Sequence, residues 1–103
     1  MRSCVRACMA AVQVLVFSKS YCPYCTKAKS ALARTGAKDV VVHELDARAD
    51  GDAIQSALAS VTGIRTVPQV FVAGKCIGGG DDTAAKAANG SLATMLRDAG
   101  ALA

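Results

Sequence analysis

VQVLVFSKSYCPYCTKAK (Val12–Lys29) sets a short apolar run directly before two cysteines separated by two residues. Val12–Phe17 is rich in β-branched residues, is bounded by the polar Ser18-Lys19-Ser20, and reads as a buried strand. Pro23 suits the first turn of a helix, where its missing N–H costs nothing. That helix is predicted to run to Arg34 or Thr35, with Tyr24, Ala28, Ala31 and Leu32 at roughly helical spacing and Gly36 as its stop. A strand handing over to a helix through a cysteine pair is the opening of a βαβ unit.

Working outward, DVVVHEL (Asp39–Leu45) is the second strand, far enough from the first for a crossover helix, so the two are expected to be parallel. Asp50 and Asp52 suit the start of a helix through Ile54, Ala57, Leu58 and Val61, ended by Gly63. Pro68–Ala73 and Lys75–Gly78 read as strands joined at Ala73-Gly74, a hairpin signal. Two short helices follow around Asn89-Gly90. The order β-α-β-α-β-β-α predicts an α/β fold: an open four-stranded mixed sheet with helices on both faces. Residues 12–103 form the expected domain; residues 1–11 precede it as an N-terminal extension able to form a short helix.

With 103 residues the chain suits one compact domain and no second. It has no Trp and two Phe, so aromatic platforms for bases are not expected and nucleic acid is not the predicted partner. The net charge of +4 is spread along the chain, a surface that mildly favours anionic ligands. Five cysteines, an odd number at uneven spacing, do not fit a stapled secreted scaffold, and a reducing compartment is expected. Arg2 and Arg6 before an apolar run resemble a signal peptide in outline. No small-residue cleavage site follows, and cleavage after Phe17 would remove the first strand. No apolar run reaches the ~18 residues of a membrane span.

A pair with Cys22 at a helix entrance and Cys25 one turn inside lies on nearly one face, at a separation a disulfide closes. Unpaired backbone N–H groups and the positive helix end favour a thiolate at Cys22, with Lys19 of the right sign to help. Cys25, more shielded, is expected to stay protonated and to act as the resolving thiol. Two other readings stand beside this one: small buried residues that happen to be cysteines, and a zinc site built from Cys4, Cys8, Cys22 and Cys25. The position of the pair between strand and helix favours redox chemistry.

Two further segments add to it. Thr66-Val67-Pro68 opens a strand, and a Val-Pro bond is one that can take the cis form and turn backbone groups outward. Gly78–Asp82 (GGGDD) joins permissive glycines to a helix N-terminus, whose N–H groups can hold a carboxylate while Asp82 accepts from an amino group. Read alone, Asp81 and Asp82 would be helix caps.

CPYC after a strand, TVPQVF some forty residues on and GGGDD at a helix start resemble a dithiol (class I, CPYC-type) glutaredoxin, over Val12 to about Leu96. Thioredoxins differ in carrying a Trp and a Gly-Pro pair. The resemblance implies a thioredoxin-like fold and glutathione as co-substrate, with no metal and no prosthetic group. It implies Cys22 and Cys25 as catalytic residues. As glutathione ligands it implies Lys19, Tyr24, Gln55, Arg65, Thr66, Val67, Pro68, Gly79, Asp81 and Asp82, with Val67 pairing to the tripeptide main chain as an added strand would. Many family members have a cysteine where Gly80 stands. Cys4, Cys8 and Cys76 match no motif and are read as bystanders, any one of which could form a regulatory or intermolecular disulfide. His43 reads as a packing or surface histidine away from the cysteines.

The expected function is a glutathione-dependent thiol-disulfide oxidoreductase that reduces protein–glutathione mixed disulfides and protein disulfides. It is expected to act as a monomer on client proteins, without nucleic acid or membrane, in the cytoplasm. A plastid or mitochondrion is the alternative if residues 1–10 are a targeting remnant. Three other functions remain: an iron–sulfur carrier bridging two chains through Cys22 and glutathione, a thioredoxin-like reductant served by a reductase, and a binding module without turnover.

Overall fold

The computed structural model describes residues 2–103. Helix α1 (Arg2–Ala11) is followed by β1 (Val14–Ser18), α2 (Pro23–Thr35) and β2 (Val40–Glu44). A 3₁₀ turn (Leu45–Ala47) leads to α3 (Gly51–Thr62), the hairpin β3 (Gln69–Val72) and β4 (Lys75–Gly78), then α4 (Gly80–Asn89) and α5 (Ser91–Asp98). The sheet order is β2-β1-β3-β4. β1 runs parallel to β2, with Val14 opposite Val40 and Ser18 opposite Glu44, and antiparallel to β3, with Val14 opposite Val72.

Strand β1 is buried throughout, and its period of two divides it between two cores. Val14 and Val16 meet Ala28 and Leu32 of α2 and Leu92 and Leu96 of α5 on one face. Leu15 and Phe17 meet Ile54, Ala57 and Leu58 of α3 on the other, and Val5 of α1 is buried in the same cluster. Helices therefore cover both faces of a mixed sheet, as the element order predicts.

The boundaries move where pairing or burial decides them. β1 starts at Val14 and not Val12, because its register with β2 begins at Val40. β2 stops at Glu44, and Leu45 turns its buried side chain into the second core at the head of the 3₁₀ turn. The hairpin forms at Ala73-Gly74, both at positive φ (50° and 81°), the requirement of the two-residue turn whose twist suits antiparallel strands.

His43 lies in β2 away from the Cys22–Cys25 pair, as expected, but it is not away from every cysteine. Its Nε2 is 3.6 Å from Cys8 Sγ. The side chain of Cys4 lies outside the described residues, and with it the four-thiolate reading; Cys8 shares its surroundings with His43 and not with Cys22. Among the described residues no helix is long and apolar enough to cross a membrane.

Candidate active site

The turn after β1 fixes the first thiol. Cys22 is the N-cap of α2, with extended backbone (φ −87°, ψ 120°) and Pro23 in the first helical position. Its N–H donates to the Lys19 carbonyl at 3.0 Å, and its own carbonyl accepts from Thr26 N–H at 3.2 Å. Ser20 ties this loop to the 3₁₀ turn: its N–H donates to Asp46 Oδ1 at 3.0 Å and its hydroxyl to Asp46 Oδ2. That tether holds the Asp46 carboxyl below its ordinary value, chiefly through the Ser20 hydroxyl.

The two sulfurs have different surroundings. Cys22 is half-buried, and Cys25 is fully buried. Burial works to raise the Cys22 thiol, but the N–H and thiol of Cys25, the N–H of Tyr24 and the charge of Lys29 together bring it below the ordinary thiol value. Burial pushes Cys25 the other way, up, against the pull of the Lys19 N–H (3.4 Å from its sulfur) and the Ser18 hydroxyl; the neighbouring Cys22 adds to the rise. The helix entrance and the buried turn behind it thus shift the two thiols in opposite directions, Cys22 down and Cys25 up. Lys29 adds its charge at Cys22, while Lys19 donates its backbone N–H to Cys25 Sγ and lends its charge to Asp46.

The Val67–Pro68 bond is cis. The Val67 carbonyl faces Cys22 Sγ at 4.0 Å. Gln69, fully buried at the start of β3, holds the preceding loop in place. Its Nε2 donates to the carbonyls of Ile64 (2.8 Å) and Thr66 (3.2 Å), and its Oε1 accepts from the Thr62 hydroxyl at 3.0 Å.

A groove of about 360 Å³ runs from this loop to the start of α4, lined by Tyr24, Thr66, Val67, Pro68, Gly79, Gly80, Asp81 and Asp82. Seven of the ten ligand positions implied by the sequence line it. Gln55 and Arg65 lie apart from it in a shallower depression with Asp52, where Gln55 Nε2 donates to the Arg65 carbonyl at 2.9 Å. Lys19 lines neither.

At the far end of the groove both aspartates already have partners. Asp82 Oδ2 accepts the Gly79 N–H at 3.2 Å, one half of a capping box that Gly79, lacking a side chain, cannot complete. Asp81 Oδ1 pairs with Lys27 Nζ at 2.6 Å, an exposed pair that raises the Lys27 ammonium. Of the two, Asp82 caps, Asp81 pairs with Lys27 instead, and both line the groove. Gly80 packs against α2 so closely that a Cβ would stand 2.5 Å from the Tyr24 carbonyl oxygen.

Three contributors escape the motif reading: Lys27, Asp46 and Gln69. Lys27 stands three residues after Tyr24 on the same helical face, but its partner Asp81 is brought to it only by the fold. Asp46 and Gln69 act through contacts that only the assembled fold creates.

Comparison with known proteins gives this geometry a family. The Glutaredoxin family model matches residues 14–77. A glutaredoxin of Ricinus communis is 57% identical over 89 residues, which cover 86% of this chain and 86% of that one. The chain belongs to the glutaredoxin family. Among solved structures, oxidized glutaredoxin 2 from Chlamydomonas reinhardtii matches with a TM-score of 0.94 and 52% identity over 98% of this chain and 94% of that one. The buckwheat glutaredoxin–glutathione complex matches with a TM-score of 0.92 and 43% identity over 99% and 92%. This glutaredoxin therefore has the thioredoxin-like fold and belongs to the glutathione-dependent thiol oxidoreductases.

Proposed function

We propose that this glutaredoxin reduces protein–glutathione mixed disulfides through Cys22. The observation that carries the reading is the asymmetry of the pair: an accessible thiol lowered by its surroundings beside a buried one raised by them. The Cys22 thiolate attacks the glutathione sulfur of the mixed disulfide. The S–S bond breaks, the electron pair leaves on the client sulfur, which takes up a proton, and glutathione stays on Cys22. A second glutathione thiolate then attacks that bond, returning Cys22 as thiolate and releasing glutathione disulfide. For a protein disulfide, Cys25 makes the second displacement and closes a Cys22–Cys25 bridge.

The groove supports a placement for glutathione. Its main chain runs along Thr66–Val67 as an added strand. Its γ-glutamyl end meets the free N–H groups at the start of α4, with Asp81 and Asp82 accepting from the ammonium. Tyr24 packs beside the sulfur, and Lys19, Gln55 and Arg65 serve the glycine carboxylate from outside the groove. The protein works as a monomer, in the cytoplasm, on glutathionylated or disulfide-containing clients. The oxidoreductase is favoured over the cluster-bridging alternative, because the Cys25 thiol sits within hydrogen-bond reach of Cys22, where a resolving thiol must be.

The test is a pair of substitutions in a deglutathionylation assay. Cys22→Ser abolishes turnover, and Cys25→Ser retains most of it. Equal loss from the two would overturn the assignment of attacking and resolving thiols.

A further inference from the structure

We propose that Cys8 is a second thiol-exchange site, which takes glutathione from glutathione disulfide in a pocket remote from the Cys22 groove. The pocket, about 340 Å³, is walled by Val5, Phe17 and Ile54 and brings Cys8 together with His43, Arg48 and Asp50. It shares no lining residue with the glutathione groove.

The polar groups form a chain whose direction can be worked out. Asp50 accepts from Arg48 twice, Nε to Oδ1 at 2.8 Å and Nη2 to Oδ2 at 3.0 Å, which fixes the guanidinium. Arg48 Nη1 lies 3.1 Å from His43 Nδ1. A guanidinium has donors only, so Nδ1 must offer its lone pair, and the proton of the neutral ring sits on Nε2. Burial, and then the Arg48 charge, hold His43 below its ordinary value, with Asp50 partly opposing, so the neutral ring is the form present near neutral pH. Stacking on Phe17, with ring centroids 5.6 Å apart, fixes its plane. The Nε2–H therefore points at Cys8 Sγ, 3.6 Å away. With Nδ1 taken by Arg48, the imidazole serves the sulfur as a hydrogen-bond donor and not as a base, and steadies the charge the sulfur carries as it attacks.

The exchange balances without another reactant. The Cys8 sulfur gives up its proton to water and attacks one sulfur of glutathione disulfide. The S–S bond breaks, its electron pair leaves on the other glutathione, which takes up a proton, and Cys8 is oxidised to the mixed disulfide as the small disulfide is reduced. The proposal rests on the reaction at Cys22 for one point only: that reaction releases glutathione disulfide, so the site meets its reactant as the enzyme's own product.

The test uses the full chain with Cys4, Cys22, Cys25 and Cys76 all replaced by Ser, so that Cys8 is the one thiol and nothing depends on Cys22. Incubation with excess glutathione disulfide is followed by intact mass. One glutathione adduct is expected, formed faster on the native chain than on the same chain unfolded in urea. His43→Phe in this background keeps the stacking, removes the N–H, and slows the adduct by about three- to tenfold, the worth of one hydrogen bond to the sulfur. No adduct, a native rate no faster than the unfolded one, or an unchanged rate in a folded His43→Phe chain would each overturn the proposal. A failure of the Cys22 reading would show instead in the Cys22→Ser deglutathionylation assay.

Discussion

Cys22 and Cys25 are three positions apart and chemically the same side chain, so every difference between them comes from their surroundings. Cys22 receives N–H groups of the first helical turn and a distant lysine, and Cys25 is closed off from water. Because the Cys22 thiol is lowered, its reactive anion persists to lower pH than that of a free cysteine, and is lost as pH falls through the lowered value. Alkylation of Cys22 by iodoacetamide, followed against pH, should therefore reach half its plateau below the ordinary thiol midpoint. The Cys25 thiol is one of the groups that lower Cys22. In Cys25→Ser the hydroxyl is a poorer fit for that contact, and the midpoint should move up while the plateau remains. An unchanged midpoint would mean that the helix N–H groups act alone.

At the scale of elements, the groove depends on the loop between α3 and β3, and that loop hangs on one side chain. Gln69 is fully buried and satisfies two loop carbonyls, those of Ile64 and Thr66. Gln69→Leu keeps the bulk and strands both carbonyls, so a loss of about 1–3 kcal/mol of stability is expected. Urea unfolding measures it, and the same variant should raise KM for a glutathionylated peptide more than it lowers kcat, since the chemistry at Cys22 is untouched. The α3 start offers a second case. A Cβ on Gly51 would stand 1.9 Å from the Leu45 carbonyl oxygen, a backbone atom that cannot step aside. Gly51→Ala should push α3 off the 3₁₀ turn that also carries Asp46, at a cost of about 1–3 kcal/mol by calorimetry.

These elements also show what a linear reading reaches. The strand before CPYC, the hairpin at Ala73-Gly74 and the helix stops at Gly36 and Gly63 are local signals, and each is found where the residues place it. The groove around Thr66–Pro68 and Gly79–Asp82 was legible because its motifs are compact. Lys27, Asp46 and Gln69 were not, because what each does depends on a partner brought near by folding: Asp81, Ser20 and the Ile64 carbonyl.

Over the whole molecule, one sheet separates two cores, and the two serve different ends. The core under α2 and α5 supports the cysteine helix. The opposite core includes α1, which docks through Val5 at 3% exposure beside Leu58 and Phe71. The Cys8–His43 pocket opens on that second core, and Cys22 draws none of its perturbing groups from it. Weakening the α1 contact should therefore lower stability without changing the active thiol. Val5→Ala removes the equivalent of about two buried methylenes, roughly 2 kcal/mol with the cavity left behind, or about 10 °C in Tm for a domain of this size. Urea and thermal unfolding measure that loss. The alkylation midpoint of Cys22 should stay at the wild-type value, because its helix, its loop and Lys29 all belong to other contacts; a shift in that midpoint would show that the two cores are coupled through β1.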